Sequence, residues 1–169
     1  MIATSDSLNN VGWDALVRGD AARATAYLEE AYAIARELND TFRMTLAVGN
    51  LATTAVLQER YEEAVERSRE TPLLCLRRGD RRGGAEAVLV LAAAAAGLGK
   101  DELSVKIDAL SRALATDAGL VHEPMLLERL EPYLSQARTR LGSERVAALE
   151  AEVGQPTLEL SLEFLDGAG

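Results

Sequence analysis

Apolar and polar residues follow one another along most of this chain with the three- to four-residue spacing of amphipathic α-helices. Turn-forming pairs such as Gly19-Asp20 and Gly99-Lys100 interrupt this spacing at regular distances. Pro72 lies inside one helical stretch and should kink or divide it, because proline lacks a backbone donor and clashes with the preceding turn. The pattern predicts an all-α fold. We expect helices over 6–18, 21–38, 42–58, 62–78, 81–98 and 101–118.

Small residues return along the chain at a fixed interval of 40 positions. Ala24, Ala64 and Ser104 share one phase of this repeat, and Gly12 and Ala52 share another. Two antiparallel helices approach closely only where their side chains are small, so each unit should be a helical hairpin. A single hairpin cannot bury both of its faces, and three of them are therefore expected to stack into a solenoid.

The segment LAVGNLATTAVLQERYEEA resembles the tetratricopeptide repeat (TPR), in a longer form of about 40 residues per unit. The resemblance is best in the second copy, through Leu51, Ala52, Tyr61 and Ala64. It implies a right-handed, TPR-like solenoid of stacked antiparallel hairpins. The three hairpins should cover about 6–38, 42–78 and 81–118, within a repeat domain over 1–118.

A solenoid needs a terminal element with one polar side, and we expect residues 119–169 to form a C-terminal helical cap. Apolar residues recur at helical spacing over 122–141, Gly142 should end that helix and Ser143 should cap the next. The closing TLELSLEFL alternates like a strand but also carries a helical stripe of leucines. No other segment offers a strand partner, so a helix is expected here.

The order of elements from GLGKDELSVKIDALSRALATDAG onward is similar to the end of the repeat region in bacterial LuxR/MalT-type and AfsR-type transcriptional regulators. Those regulators join an NTPase module, a TPR sensor region and a DNA-binding domain. This chain has no G-x-x-x-x-G-K-[ST] loop and no recognisable DNA-reading segment. The resemblance therefore implies the sensor part alone of a signalling regulator.

Composition narrows the classes of partner. A net charge of −9 and a pI of about 4.7 oppose phosphate binding, so direct contact with nucleic acid is not expected. The longest apolar run, residues 87–99, is shorter than the roughly 20 residues of a membrane-spanning helix. The N-terminus lacks the basic start and apolar core of a signal peptide, which favours a cytoplasmic protein.

The sequence offers little for catalysis. With one cysteine, Cys75, and one histidine, His122, the chain cannot build a four-ligand zinc site, and no cofactor is expected. Cys75 should lie on the apolar side of a helix, where a cysteine is usually inert. His122 should face solvent or cap a helix. We therefore expect no enzyme; a Cys75-dependent hydrolase is the least favoured alternative.

The TPR resemblance implies that the first helices of the hairpins line a concave groove, which binds a protein or peptide, or a small effector. Trp13 is the strongest candidate anchor because it offers a large amphipathic surface, although it could instead fill a gap at the N-terminal end of the stack. The lysines and arginines with which other TPR modules clamp a carboxylate are missing here. The predicted groove residues are Asn9, Trp13, Asn50, Thr53, Leu89 and Ala93.

A second hypothesis is a structural scaffold that forms a homodimer through the N-terminal hairpin. In that case Leu8, Val11, Leu16 and Val17 would be left partly exposed in the isolated chain.

Overall fold

The computed structural model describes residues 2–166, and within this range it contains nine α-helices and no strand. Neighbouring helices pair as antiparallel hairpins, α1 with α2, α3 with α4 and α5 with α6, and the hairpins stack in chain order. The predicted all-α, TPR-like solenoid is confirmed. The helices are α1 (Ile2–Val17), α2 (Ala21–Glu37), α3 (Thr41–Leu57), α4 (Tyr61–Arg78), α5 (Arg81–Gly97), α6 (Asp101–Asp117), α7 (Pro124–Leu141), α8 (Ser143–Ala151) and α9 (Leu158–Asp166).

The first six helices all end in the same turn, which recurs every 20 residues. In the first turn the backbone N–H of Asp20 donates to the carbonyl of Ala15 at 2.9 Å, closing a Schellman motif. The residue before the donor has a positive φ, which glycine adopts without steric cost. Glu59 takes this place in the third turn, at φ 59°. Because glutamate rarely adopts a positive φ, this turn is not recognisable from the sequence. The six positive-φ residues are Gly19, Asn39, Glu59, Gly79, Gly99 and Gly119.

Cys75 occupies the carbonyl position of the fourth of these turns, where the other five turns have alanine. Its side chain is fully buried, as predicted. Burial raises the pKa of the Cys75 thiol to about 12, so the thiolate needed for nucleophilic attack is disfavoured at neutral pH. Cys75 therefore serves as a small apolar group inside a turn. The equivalent residues are Ala15, Ala35, Ala55, Ala95 and Ala115.

The small residues of the 40-residue repeat lie where the two helices of a hairpin meet. Ala24, Ala64 and Ser104 are all buried. At Gly12, on the facing helix, a Cβ atom would lie 2.7 Å from the Cγ atom of Leu28. This contact explains why the repeat needs small side chains at these positions.

Helix α5 is the centre of the molecule. It contacts α3, α4, α6, α7 and α9, and from Gly84 to Ala96 every residue except Glu86 is buried. Helix α7 stacks on α5 and α6 as the first helix of a further hairpin would, and its Leu126 and Leu130 enter the main core. A helix that is surrounded by other helices on all sides needs small apolar side chains, and α5 supplies them as a run of alanines and valines.

The cap is joined to the third hairpin by ion pairs. The Arg138 guanidinium of α7 lies 2.9 Å from the buried carboxylate of Asp108 in α6, and Arg140 lies 2.6 Å from Asp101. Ser143 is the first residue of α8 and makes no capping hydrogen bond, so the prediction that it caps this helix was wrong. Gly142 occupies the cap position instead.

His122 is buried, with 7% of its surface exposed, and the prediction of a solvent-facing or capping residue was wrong. Its ring Nε2 lies 3.0 Å from the Ser111 hydroxyl, which donates to the carbonyl of Ala85 at 2.8 Å. Because the Ser111 hydroxyl proton is already used in the hydrogen bond to Ala85, the Nε2–H of His122 donates to the Ser111 oxygen. Burial lowers the pKa of His122 and favours its neutral form. The connection between α6 and α7 is thereby tied to α5.

The two ambiguous segments are both helical. Helix α4 runs through Pro72 without interruption, so proline does not divide it. The closing segment forms α9, which contacts α4, α5 and α6. A Cβ atom on Gly84 would lie 2.7 Å from Cδ1 of Leu158, so α9 makes its close approach at a glycine. Within residues 2–166, no helix combines the length and the apolar character that crossing a membrane requires.

Candidate partner-binding groove

A hollow of about 220 Å³ opens between the first helices of the hairpins. It is bordered by α1, α3, α5 and the start of α7, with Thr71 of α4 at its side. Of the predicted groove residues, Trp13, Asn50 and Thr53 line it. We call this hollow the α1–α3–α5 groove.

The predicted polar residues of the groove already form hydrogen bonds within the protein. The Asn50 side-chain amide donates to the side-chain Oδ1 of Asn9 at 3.1 Å and so links α3 to α1. The Thr53 hydroxyl donates to the backbone of Gly49 at 3.0 Å, and only 2% of this residue is exposed. Asn9 and Asn50 thus set the spacing of the two helices, while Thr53 forms part of the floor.

Leu89 and Ala93 do not line the groove. Both belong to the main core, with 1% and 0% of their surface exposed. Helix α7 packs against α5, and its Leu130 and Leu134 belong to the same core. The family pattern assigned these two residues to the groove because it treats α5 as a lining helix with one free face.

The groove has an apolar part that sequence inspection missed. Leu46 lies one helical turn before Asn50 on the same face of α3, lines the groove and is 40% exposed. Phe42, one further turn back, is 42% exposed, and the guanidinium of Arg78 lies 4.5 Å from its ring centre. Trp13 is half-buried and packs partly against the first-hairpin core. The i, i+4 spacing from Asn50 is the signal that could have found Leu46.

Three carboxylates lie at the other side of the groove, and two of them cap helices. The N–H of Gly83 donates to Asp80 at 2.9 Å, and the N–H of Leu126 donates to Glu123 at 2.7 Å. Glu86 differs from both, because its Oε1 atom is buried and has no hydrogen-bond partner. Arg82 Nη1 is 3.8 Å from this atom, beyond hydrogen-bonding distance.

Burial raises the pKa of Glu86, and the nearby carboxylates of Glu123 and Asp80 add to this effect. The backbone of Glu123 and the charge of Arg82 act in the opposite direction but do not cancel it. A raised pKa in the folded state means that the ionised carboxylate opposes folding at neutral pH.

Replacing Glu86 with glutamine is expected to raise the free energy of unfolding by about 1 kcal/mol at pH 7.5, because the fold no longer holds a poorly solvated charge. The gain should shrink as the pH falls towards 4.5, where wild-type Glu86 takes up a proton in the folded state. Urea unfolding at both pH values measures the effect.

Glu62→Gln is the matched control, since Glu62 is exposed on α4 and its removal changes the net charge equally. This variant should leave stability within about 0.5 kcal/mol of wild type. An equal gain from both variants would show that net charge, and not the burial of Glu86, is responsible.

A second hollow, of about 620 Å³, lies between the α3–α4 turn and α7. Three of its polar side chains already have partners. The Tyr133 hydroxyl donates to the carbonyl of Val56 at 3.3 Å, Arg129 donates to the carbonyl of Val17 at 2.6 Å, and Arg140 pairs with Asp101. The α1–α3–α5 groove is the better candidate because it combines exposed apolar groups with an unpaired polar atom.

The groove lies on the helices that carry the sequence repeat, and a family comparison supports the type of repeat. The tetratricopeptide repeat model matches residues 4–41. This segment covers most of α1, the turn at Gly19 and all of α2, which together form the first hairpin. The match falls on the first copy, although the resemblance noted from the sequence was best in the second. Neither the curated proteins nor the solved structures gave a significant match.

TPR hairpins of this type generally mediate contacts between proteins. The matched hairpin contributes Trp13 to the groove. The repeat therefore indicates a protein-interaction module, and the groove is the surface on which a partner would be sought.

Proposed function

We propose that this chain binds an extended peptide or a helix of a partner protein in the α1–α3–α5 groove. The observation that carries the proposal is the exposed apolar surface of Leu46 beside Trp13, around a hollow that no part of residues 2–166 fills. The hollow, at about 220 Å³, is smaller than the roughly 300–1,000 Å³ of sites for drug-sized ligands. Insertion of one or two side chains fits this volume better than enclosure of a small effector.

Trp13 is the proposed anchor. Trp13 was considered both as an anchor for a partner and as a residue that fills a gap in the stack. Its half-buried position is compatible with both roles, because it contacts the first-hairpin core on one side and lines the groove on the other. Aromatic residues held in this way lose little side-chain entropy when a partner arrives. Asn9 and Asn50 support the groove by holding α1 against α3.

A photo-crosslinking amino acid placed at Leu46 tests the proposal in cells that express the protein. We expect a discrete crosslinked partner from position 46 and a large loss of that product in the Trp13→Ala variant. The same crosslinker at Glu30, which is exposed on α2, is the control position. Equal products from both positions, or a product insensitive to Trp13→Ala, would contradict binding in the groove.

We further propose that the module is the sensor part of a bacterial signalling or transcriptional regulator acting in the cytoplasm. The support is the similarity of the C-terminal order of elements to LuxR/MalT-type and AfsR-type regulators, together with the acidic net charge that opposes direct DNA binding. The adjoining coding sequence tests this: it should encode an NTPase module or a DNA-binding domain. A neighbourhood with neither would contradict a role in such a regulator.

Homodimer formation through the N-terminal hairpin is supported by the partial exposure of three of the four residues expected to be left open. Val11 is 47% exposed, and Leu8 and Val17 are half-buried. Leu16 is 4% exposed and belongs to the first-hairpin core, so the expectation was wrong for this residue. The apolar face available for pairing is therefore smaller than the sequence suggested. We place this alternative second; light scattering of the Val11→Asp variant against wild type would detect a dimer that depends on this face.

A further inference from the structure

The Glu86 carboxylate is incompletely paired in the groove lining. Among the described residues its Oε1 atom has no hydrogen-bond partner, although the side chain as a whole is 25% exposed. A buried acceptor left unpaired opposes folding, and each such group in a native structure calls for an explanation. A positive charge that enters the groove beside this carboxylate would offset that cost.

The neighbouring carboxylates already have one partner each. Asp80 and Glu123 both accept a backbone N–H at the start of a helix, as described above, through one of their two oxygens. They still add negative charge beside Glu86. A donor that carries positive charge therefore fits this side of the groove better than a neutral one, and hydrogen bonds between ions are about twice as strong.

The groove lining also has an apolar part. Leu46, Ala87, Val90 and Leu126 line the groove together with Trp13. The charged groups of the lining are all carboxylates, so a positively charged group flanked by apolar ones matches its chemistry.

We infer that the groove selects a partner segment carrying a lysine or arginine side chain next to an apolar residue, with Glu86 as the counter-charge. The inference rests on the proposed function and names the class of partner. The apolar stem of the basic side chain, and the apolar residue beside it, contact Leu46 and Trp13. The charged end pairs with the carboxylate of Glu86, whose side chain is 25% exposed.

Arg82 is the internal competitor for this position. Its guanidinium donates to the backbone carbonyl of Val121 at 3.0 Å and lies 3.8 Å from Glu86. Its side chain is about half exposed, so holding it against Glu86 would cost rotamer freedom for a weak surface contact. A basic group delivered by a partner does not give up the Val121 contact.

The test uses three acetylated and amidated five-residue peptides, Ala-Leu-Lys-Leu-Ala and its versions with glutamine or glutamate in place of lysine. Binding is followed through the fluorescence of Trp13, the only tryptophan in the chain. We expect the lysine peptide to bind wild type about tenfold more tightly than the glutamine peptide, as one charge-assisted hydrogen bond predicts. The glutamate peptide should bind most weakly.

Glu86→Gln should reduce the preference for the lysine peptide over the glutamine peptide to about onefold. Glu62→Gln, which removes the same charge from an exposed site, should keep the preference. Glu86→Gln is expected to be at least as stable as wild type. A loss of the lysine preference in this variant would therefore not be caused by unfolding.

Equal affinity of wild type for the three peptides, or a lysine preference that survives in Glu86→Gln, would overturn the inference. A preference lost equally in Glu62→Gln would also overturn it, because general attraction to an acidic protein would then be the cause. No response to any peptide would count against the basic–apolar class of partner. The proposed function is judged separately, by crosslinking from position 46.

Discussion

Replacing Leu130 with alanine is expected to lower the free energy of unfolding by about 3 kcal/mol, the middle of the range for buried leucines. Leu130 is fully buried in α7 and belongs to the same core as Val88 and Leu91 of α5. Truncating its side chain would leave a cavity between two helices that are held by many other contacts, so the cavity could not close fully. Urea denaturation followed by circular dichroism measures the loss.

The control for this prediction is Glu128→Ala, an exposed position on the same helix, which should change stability by less than about 0.5 kcal/mol. A loss below about 1 kcal/mol for Leu130→Ala would mean that α7 is not firmly packed on α5. In that case Leu89 and Ala93 would be open to a partner, and the boundary of the groove drawn above would be wrong.

Replacing Gly97 with alanine is expected to lower the free energy of unfolding by about 2 kcal/mol, as overpacked sites do. A Cβ atom at this position would lie 2.2 Å from Cε1 of Tyr61, so the ring must move. That movement would also disturb the edge-to-face contact between Tyr61 and Tyr133, whose ring centres are 6.1 Å apart. Thermal and urea unfolding of the variant measure the effect.

Gly49→Ala is the matched control, because Gly49 is also helical and a Cβ atom there would meet nothing within 4 Å. It should stabilise the protein by about 0.5–1 kcal/mol through its effect on backbone entropy. Adding Tyr61→Ala to Gly97→Ala should remove most of the steric penalty, which a double-mutant cycle would show as a favourable coupling. If Gly97→Ala and Gly49→Ala have the same effect, α4 does not approach α5 closely at this point.

The helices could be predicted because their signals are local. Turn residues such as Gly19 and Gly99, and small residues such as Ala24 and Ala64, act within one hairpin, and their spacing is visible in the sequence. Glu59 shows the limit of this method. It adopts a positive φ because the flanking helices, and the hydrogen bond from Arg60 to Ala55 at 2.9 Å, hold the turn in place.

The groove was only partly predictable. Trp13 and Asn50 were found because the repeat phase places them on first helices, which lie side by side in any such stack. Leu89 and Ala93 share that phase but lie in the main core, to which α7 also contributes. A C-terminal segment can either extend a solenoid or pack over the first helix of its last hairpin, which is α5 here. Which of the two occurs depends on contacts between distant parts of the chain.

By itself the sequence determined the helical class, the 40-residue repeat, the hairpin contacts at small residues and the burial of Cys75, since each follows from spacing within one or two helices. Only the tertiary structure decided that α5 is enclosed, that His122 is buried against Ser111, and that Glu86 keeps an unpaired oxygen beside an apolar hollow. These features arise where α7 and the segment before it meet α5 and α6. Burial and hydrogen bonding there depend on which residues become neighbours in space, and that information is not contained in any local pattern.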